Sequence, residues 1–516
     1  MKTDNVKKII HELDFQTALR RIKYDSKFDF IQLPIEIVIY EHYFDDNIKF
    51  LIESIEDDSY VVKPLRKIWV PKRNFFLRPG SIPHLEDRLL FQAMIDSVAS
   101  ELEAQMIPLD HEVVFSSRLN PDQKNEKLFI HPRELWLSFK NKCVSFCDNQ
   151  EVNFVLVSDI ASYFENIDLR LLADTLTSLG VSPFYSESIR QLLSIWANGR
   201  TRGIPQMIAP CSFLANIYLN QVDKNMIMRG YNYVRYVDDI RIFVSSEREL
   251  RIALKDLTEQ LKGSYLDVQA SKTKFMSAKD LKAEITTLEK HLNELGIDAN
   301  EQAALSYFDP LPDDQRIPED KLLVFLENLI HNTEYDDRHL RFCINHLSYI
   351  KSPAAINLVI SHLQDMPQET DTFVNYLQRL PPEHLTKDML ESIMQFLDSE
   401  LNIYDWQMML LLRLIAKYNR IDYKYLQRLF NNSKIFDHPV NRAITTYILC
   451  SKGDLTLKRN FISRYGQESK IVQMATLCGV FDLNKKERNR FYAVAAKDRD
   501  LNQLIKILKN KKVDFC

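Results

Sequence analysis

The sequence predicts a mixed α+β region followed by an all-α domain of repeated helices, and three observations carry that prediction. Glycine is scarce, with ten in 516 residues, which favours helices over sandwiches and barrels. Between 61 and about 280, β-type runs such as NFVLVSDI and YVRYVDDIRIFV alternate with helical runs such as LLFQAMIDSVASEL. Beyond 280 strand signals nearly vanish, and apolar residues recur at the spacing of one buried helical face.

Taken in order, residues 1–60 form a helical extension, marked by Ile9, Ile10, Leu13 and Phe15 and then by Ile35, Val38, Ile39 and Tyr43. Residues 61–278 form the mixed region. Residues 279–516 form the helical one, where Leu322, Phe325, Leu326 and Leu329, and again Leu390, Ile393, Met394 and Leu397, repeat the i, i+3, i+4, i+7 pattern. Short breaks such as KSP, MPQ and LPPEH separate these helices. A long series of this kind predicts an α-solenoid or HEAT-like array, with an irregular helical bundle as the plainer alternative. Leu281, Ile285, Leu288, Leu292 and Leu295 follow the a/d spacing of a coiled-coil seam. Two heptads read more simply as a helix packed on its own domain, and more sharply as a subunit contact.

Composition excludes several classes. Hydrophobic residues at 45% and charged ones at 27% describe an ordinary soluble chain with material for a core. A net charge of −4 means that any nucleic-acid-binding surface is local, and the helical part shows no evident basic stripe. With no apolar run of membrane-spanning length and no apolar block in MKTDNVKKIIHELDF, a cytoplasmic protein with no membrane partner is expected. The seven cysteines contain no CxxC pair and complete no zinc site, so Cys143 and Cys147 read as buried thiols.

The chemistry is concentrated in two segments. NFVLVSDIASYFENI, 153–167, is a buried-strand run ending in Asp159, and NYVRYVDDIRIFVSS, 232–246, is a hairpin with Asp238 and Asp239 at its tip. Neighbouring side chains on a strand point to opposite faces, so Asp238 and Asp239 should not do the same work. Bringing Asp159 and Asp238 together is unfavourable unless a cation lies between them. Mg²⁺ with one or two carboxylates and substrate phosphates satisfies that need and suggests nucleotidyl transfer.

In order, VSDIASYFENI, RGIPQMIAPCSFLANIYLNQVD (202–223) and YVDD (236–239) resemble the palm of reverse transcriptases. Upstream, WVPKRNFFLRPGSIPHLEDRLLFQAM (69–94) is similar to the fingers of bacterial and group II intron reverse transcriptases, and LDVQASKTKFM (266–276) to the segment after the catalytic hairpin. The resemblance implies a right-hand polymerase, fingers and palm, over about 210 residues. It makes Asp159, Asp238 and Asp239 catalytic, with Asp159, Asp238 and the carbonyl of Ile160 holding two Mg²⁺ ions, for which Mn²⁺ substitutes. It assigns Lys72, Arg78, Phe164, Gln206 and Lys272, with Lys274 as the alternative lysine, to the incoming nucleotide, with Phe164 under the sugar favouring dNTPs.

The sequence also departs from that family. Where glycine usually follows the PQ pair, this chain has Met207, which obstructs an ordinary template or fills a site in which no template lies. After 280 no recognisable thumb, RNase H domain, HNH endonuclease or zinc finger is expected from the sequence. A truncated palm and fingers before a helical-repeat domain resembles the abortive-infection group of bacterial reverse-transcriptase-like polymerases, related to defence-associated reverse transcriptases, and VVFSSRL (113–119) looks like a stretch of that group. That resemblance implies antiphage defence by DNA synthesis without a template, primed by a tyrosine of the protein. The single-stranded DNA product is then covalently attached, in a homo-oligomer (trimer or hexamer) with a phage or host protein as trigger. Tyr24, Tyr40 and Tyr43 are near-terminal candidates among 22 tyrosines. A templated defence enzyme copying a noncoding RNA, and a silent polymerase fold kept as a binding scaffold, are the alternatives.

Overall fold

The computed structural model describes residues 4–288, 290, 317–331, 337–418, 421–432 and 434–516. The chain divides into two compact units. One comprises Met1–Asp29, Asp45–Lys67 and Ser81–Glu294; the other comprises Phe30–Phe44, Ile68–Gly80 and Leu295–Cys516. The segments read from sequence are contiguous, whereas these units are interleaved along the chain.

The first unit is built on a four-stranded antiparallel sheet. Its strands are β3 (Phe154–Asp159), β4 (Asn232–Tyr236), β5 (Asp239–Val244) and β6 (Lys274–Ser277), in the spatial order β4-β5-β3-β6. Val155 and Leu156 of β3 and Ile240, Ile242 and Phe243 of β5 are all buried, and since neighbours on a strand point to opposite faces, both faces of the sheet are covered there. The helix Glu247–Gly263 buries Leu250, Ala253, Leu257 and Leu261, a stripe of helical period, and packs on β3 and β5. Its start is set by Ser246, whose hydroxyl accepts from the Glu249 N–H. The helix Ala209–Met228 is buried on nearly every side and supports β4.

A cluster of buried side chains joins Phe115, Phe139, Cys143, Val155, Val234 and Phe243. Leu281 is buried in that cluster and Ile285 packs against it, so the described start of the leucine pattern packs on its own unit. Leu292 and Leu295 lie outside the described residues.

The second unit includes the tip of a two-stranded hairpin, formed by β1 (Arg66–Pro71) and β2 (Leu77–Ile82). The Lys72 N–H donates to the Phe76 carbonyl at 2.6 Å and closes the turn. Gly80 has no room for a side chain: a Cβ there would lie 2.8 Å from Val70 and 3.0 Å from Ile68 and Phe30. The remainder is helical. Glu319–His331 packs on Asp337–Tyr349, that helix on Thr370–Arg379, and the series continues through Asp405–Ala416, Pro439–Lys452, Lys470–Gly479 and Arg499–Asn510. The apolar stripes anticipated from sequence are the buried faces, as with Leu322, Phe325 and Leu326, and Leu390, Ile393 and Leu397. No helix among the described residues is long and apolar enough to cross a membrane.

Candidate active site

The site is built where β3 and the β4–β5 hairpin end together. β3 runs antiparallel to β5, and its last residue, Asp159, lies opposite Asp239. Tyr236 pairs with Asp239 across β4 and β5, which leaves Val237 and Asp238 as a two-residue turn. Asp238 is thereby set beside the end of β3, close enough for the Asp159 charge to act on it. Burial and that charge push the Asp238 carboxyl up to about 6. Asp238 thus lies in the turn rather than on a strand, so strand alternation does not apply to it, and the two aspartates differ instead in their partners. Asp239 accepts from Arg241 at 3.2 Å, whereas Asp238 has no ion-pair partner among the described residues.

Asp159 is met by a lysine. Lys272 Nζ lies 2.7 Å from Asp159 Oδ2. Burial alone would lower the Lys272 ammonium, but its bond to Asp159 and the charges of Asp238 and Asp239 outweigh that and raise it. The lysine is brought there by the segment 267–269, which bridges to the end of β3 and leads into the short turn Ala270–Lys272. The Gln269 N–H donates to Asp159 O at 2.7 Å and the Ala161 N–H to Asp267 O at 2.9 Å, framing Ile160 opposite Val268. In such a non-bonded antiparallel pair, the N–H and C=O of Ile160 point away from Val268 and toward the β5 side.

Whether the residues fit Mg²⁺ is a question about this donor set. Among the described residues no group of three or more His, Cys, Asp or Glu is arranged as a closed metal cage. Two carboxylates that repel each other, one raised to about 6 and the other held by an exposed lysine, suit a hard cation that draws its other ligands from substrate phosphates. Asp159 and Asp238 therefore fit the ion, and the Ile160 carbonyl is directed to the same side.

The remaining sequence-chosen residues fall in two places. Phe164 is half-buried in the short helix Tyr163–Asn166, and its carbonyl accepts from the Ile204 N–H at 2.9 Å. This bond, and Gly203 at φ +101° against the Glu165 carbonyl, hold the loop bearing Gln206 beside Phe164. Met207 is 47% exposed and takes φ +61°, so the backbone has the shape that glycine adopts freely while carrying a long side chain. Lys72 and Arg78 belong to the second unit. Lys72 is exposed at the hairpin turn. Arg78 lies over the Phe30 ring at 5.1 Å, and its burial, eased by Asp371 and Glu369, lowers its guanidinium.

Cys143 is buried and pushed up to about 12 by that burial, as expected of a packed thiol; Cys147 is half-buried and raised to about 11. Sequence reading passed over charge concentrated at the end of the helical unit. From 485 to 512 there are ten lysines and arginines against three acids. Lys486, Arg490, Lys506 and Lys509 are exposed there without ion pairs among the described residues, while Glu487, Asp498 and Asp500 are all paired. A count along this window, rather than a search for a stripe along the whole array, would have found it.

Residues 70–303 match the family model for reverse transcriptase (RNA-dependent DNA polymerase). The group II intron-encoded protein LtrA of Lactococcus lactis subsp. cremoris is 25% identical over 225 residues, which cover 42% of this chain and 34% of that protein. The chain thus spans about a third of that relative's length. Protein YkfC of Escherichia coli (strain K12) is 22% identical over 280 residues, 45% of this chain and 68% of that protein. Apo telomerase from Candida tropicalis aligns with a TM-score of 0.31 and 11% identity, over 71% of this chain and 74% of that one. The family match gives residues 70–303 the character of a reverse transcriptase domain.

Proposed function

We propose that the reverse transcriptase domain of this chain is a Mg²⁺-dependent DNA polymerase acting in antiphage defence by abortive infection, without a template and primed by a tyrosine of the protein. The observation that carries the chemistry is the approach of Asp159 and Asp238 at adjoining strand ends, with Lys272 on Asp159. Bound Mg²⁺ supplies the charge that activates an attacking hydroxyl and stabilises the leaving oxygen in an in-line displacement at phosphorus. Asp159 and Asp238 hold that charge in place. Lys272, on a mobile four-carbon stem, exchanges its carboxylate for the pyrophosphate as negative charge develops there. Phe164, beside the Gln206 loop, closes the space under the sugar and favours deoxynucleotides.

Met207 supports the template-free reading. A template strand needs close backbone approach at that loop, and an exposed thioether at a left-handed position occupies the space that glycine leaves open. Of the near-terminal tyrosines, Tyr40 is buried, whereas Tyr24 and Tyr43 are half-buried. Tyr24 has Lys27 and Lys127 over its ring, and Tyr43 has Lys506, cations suited to the phosphates of a growing chain. The serial packing of the helical unit supports a HEAT-like repeat domain, the part suited to a homo-oligomer and a protein trigger. A second reading, a templated defence enzyme copying a noncoding RNA, is favoured by the basic end of that unit, which supplies the local surface such an enzyme needs.

The test is to incubate nuclease-treated protein with Mg²⁺ and labelled dNTPs, without template or primer, and to run the product on a denaturing gel before and after protease. Label that grows on the protein and is released by protease supports the first reading. Synthesis only when RNA is supplied supports the second, and no incorporation under either condition would leave the scaffold.

A further inference from the structure

Val237 is the strained residue of the active-site turn. Its φ is +56°, in the left-handed region where a β-branched side chain is an outlier and where two-residue hairpin turns ordinarily place glycine or asparagine. That strain would be relieved by rotating the peptides on either side. The peptide after Val237 carries Asp238, so such a rotation re-aims the carboxylate.

Both polar groups of Val237 are held. Its N–H donates to Ser116 Oγ at 2.7 Å, and its carbonyl accepts from Arg235 Nη1 at 2.8 Å. Arg235 Nη1 also donates to Asn216 Oδ1 at 2.9 Å, and Asn216 Nδ2 to the Ser116 carbonyl at 2.6 Å. The bonds close a ring through Ser116, Val237, Arg235 and Asn216. Arg235 cannot leave it. Its guanidinium is fully buried and forked onto Asp223 at 2.8 and 2.6 Å, and Tyr233 donates to the same carboxylate at 2.8 Å. Ser116 is equally fixed, because residues 113–116 run beside β4: the Arg235 N–H donates to Val113 O at 2.8 Å and the Phe115 N–H to Arg235 O at 3.0 Å.

We propose that Ser116 and Arg235 are positioning residues that clamp Val237 in its left-handed conformation from both sides and thereby aim Asp238 at the pair it forms with Asp159. This rests on the reading of Asp238 as a metal-holding carboxylate. It also gives a role to the VVFSSRL stretch, whose serine is the N–H acceptor.

The test is a cycle of Ser116→Ala, Val237→Gly and the double variant, with S116T and D238N as references. Three readouts are taken: thermal midpoint, Mn²⁺ affinity by calorimetry, and kcat and KM for nucleotide addition under whichever priming condition supports it. Loss of outer supports of a metal site weakens affinity or activity about 10- to 100-fold. S116A should therefore weaken Mn²⁺ binding and kcat by about tenfold, with the nucleotide KM within about twofold. Glycine adopts positive φ without strain, so the same Ser116→Ala change in the Val237→Gly background should cost less than about threefold. S116T, which keeps the hydroxyl, should stay near wild type and controls for folding. Equal losses in both backgrounds, or losses that follow the thermal midpoint alone, would overturn the clamp. If D238N binds Mn²⁺ and adds nucleotide as wild type does, the reading of Asp238 fails instead, and the two failures are distinct.

Discussion

The first unit holds two clusters with the same charge arithmetic and opposite fates. In each, three aspartates face two cations. At the candidate active site Asp159 has Lys272, Asp239 has Arg241, and Asp238 is the third acid. In the interior Asp96 has Arg21 at 2.7 Å, Asp29 has Arg88 in a forked pair, and Asp25 is the third acid. In both, burial and like charge raise the odd carboxyl, Asp238 to about 6 and Asp25 to about 7. The difference lies in the cations. Arg21, Arg88 and Arg241 are only 2%, 3% and 10% exposed, so the contrast rests on one cation, Lys272, which is 63% exposed. A buried, forked arginine is a permanent counter-ion, and an exposed lysine is a placeholder that a metal or phosphate can displace. Charge count does not distinguish a structural cluster from a reactive one; access and the identity of the cation do.

Four substitutions test this contrast. The largest effect is expected from Asp238→Asn, which removes several kcal/mol of charge stabilisation and should lower nucleotide incorporation about a thousandfold, read by the gel assay on folded protein. Next is Arg88→Met, which leaves Asp29 buried without its partner and should cost about 3–5 kcal/mol. Its thermal midpoint should fall by about 10 °C. A melt within about 2 °C of wild type would mean that the interior cluster is no more locked than the active one.

Lys272→Ala approaches the same contrast from the other side. An exposed ion pair contributes at most about 1 kcal/mol, so stability should barely change while kcat falls roughly tenfold or more through the lost electrostatic partner. A large fall in melting temperature with kcat unchanged would assign Lys272 to structure. The smallest effect belongs to Asp25→Asn. Asp25 titrates near 3.8 when unfolded and near 7 when folded, so the folded state binds more protons between those values and wild-type stability should fall as pH rises through that window. The Asn variant lacks that slope. It should melt about 2–4 °C above wild type at about pH 5, where only part of that window has been crossed, and level with it below about pH 3.5, and parallel curves would show that Asp25 is ionised throughout.

Much of the site was legible in the chain because strand geometry is local. A buried run ending in Asp159 and a hairpin with carboxylates at its tip are period-two patterns, although Asp238 lies in the turn and is set apart from Asp239 by the turn rather than by strand alternation. Lys272 was legible only through resemblance, since a lysine in a polar turn is ordinarily solvated; it is the bridge from Ile160 to Val268 that carries it to Asp159. Ser116 and Asn216 drew no attention as ligands to a turn, because they lie far along the chain from the groups they bind, separated by 121 and 100 residues.

Residue order alone was enough for the element types, the apolar faces of the helical unit and the three aspartates, since periodicity and residue chemistry are written over short spans. Three things waited on the folded chain: that Lys72 and Arg78 are grouped with the helical unit, that Val237 is strained and clamped, and that one aspartate cluster is sealed while the other is open. Each of those depends on burial and long-range pairing, which follow from what distant segments cover rather than from what neighbours along the chain prefer.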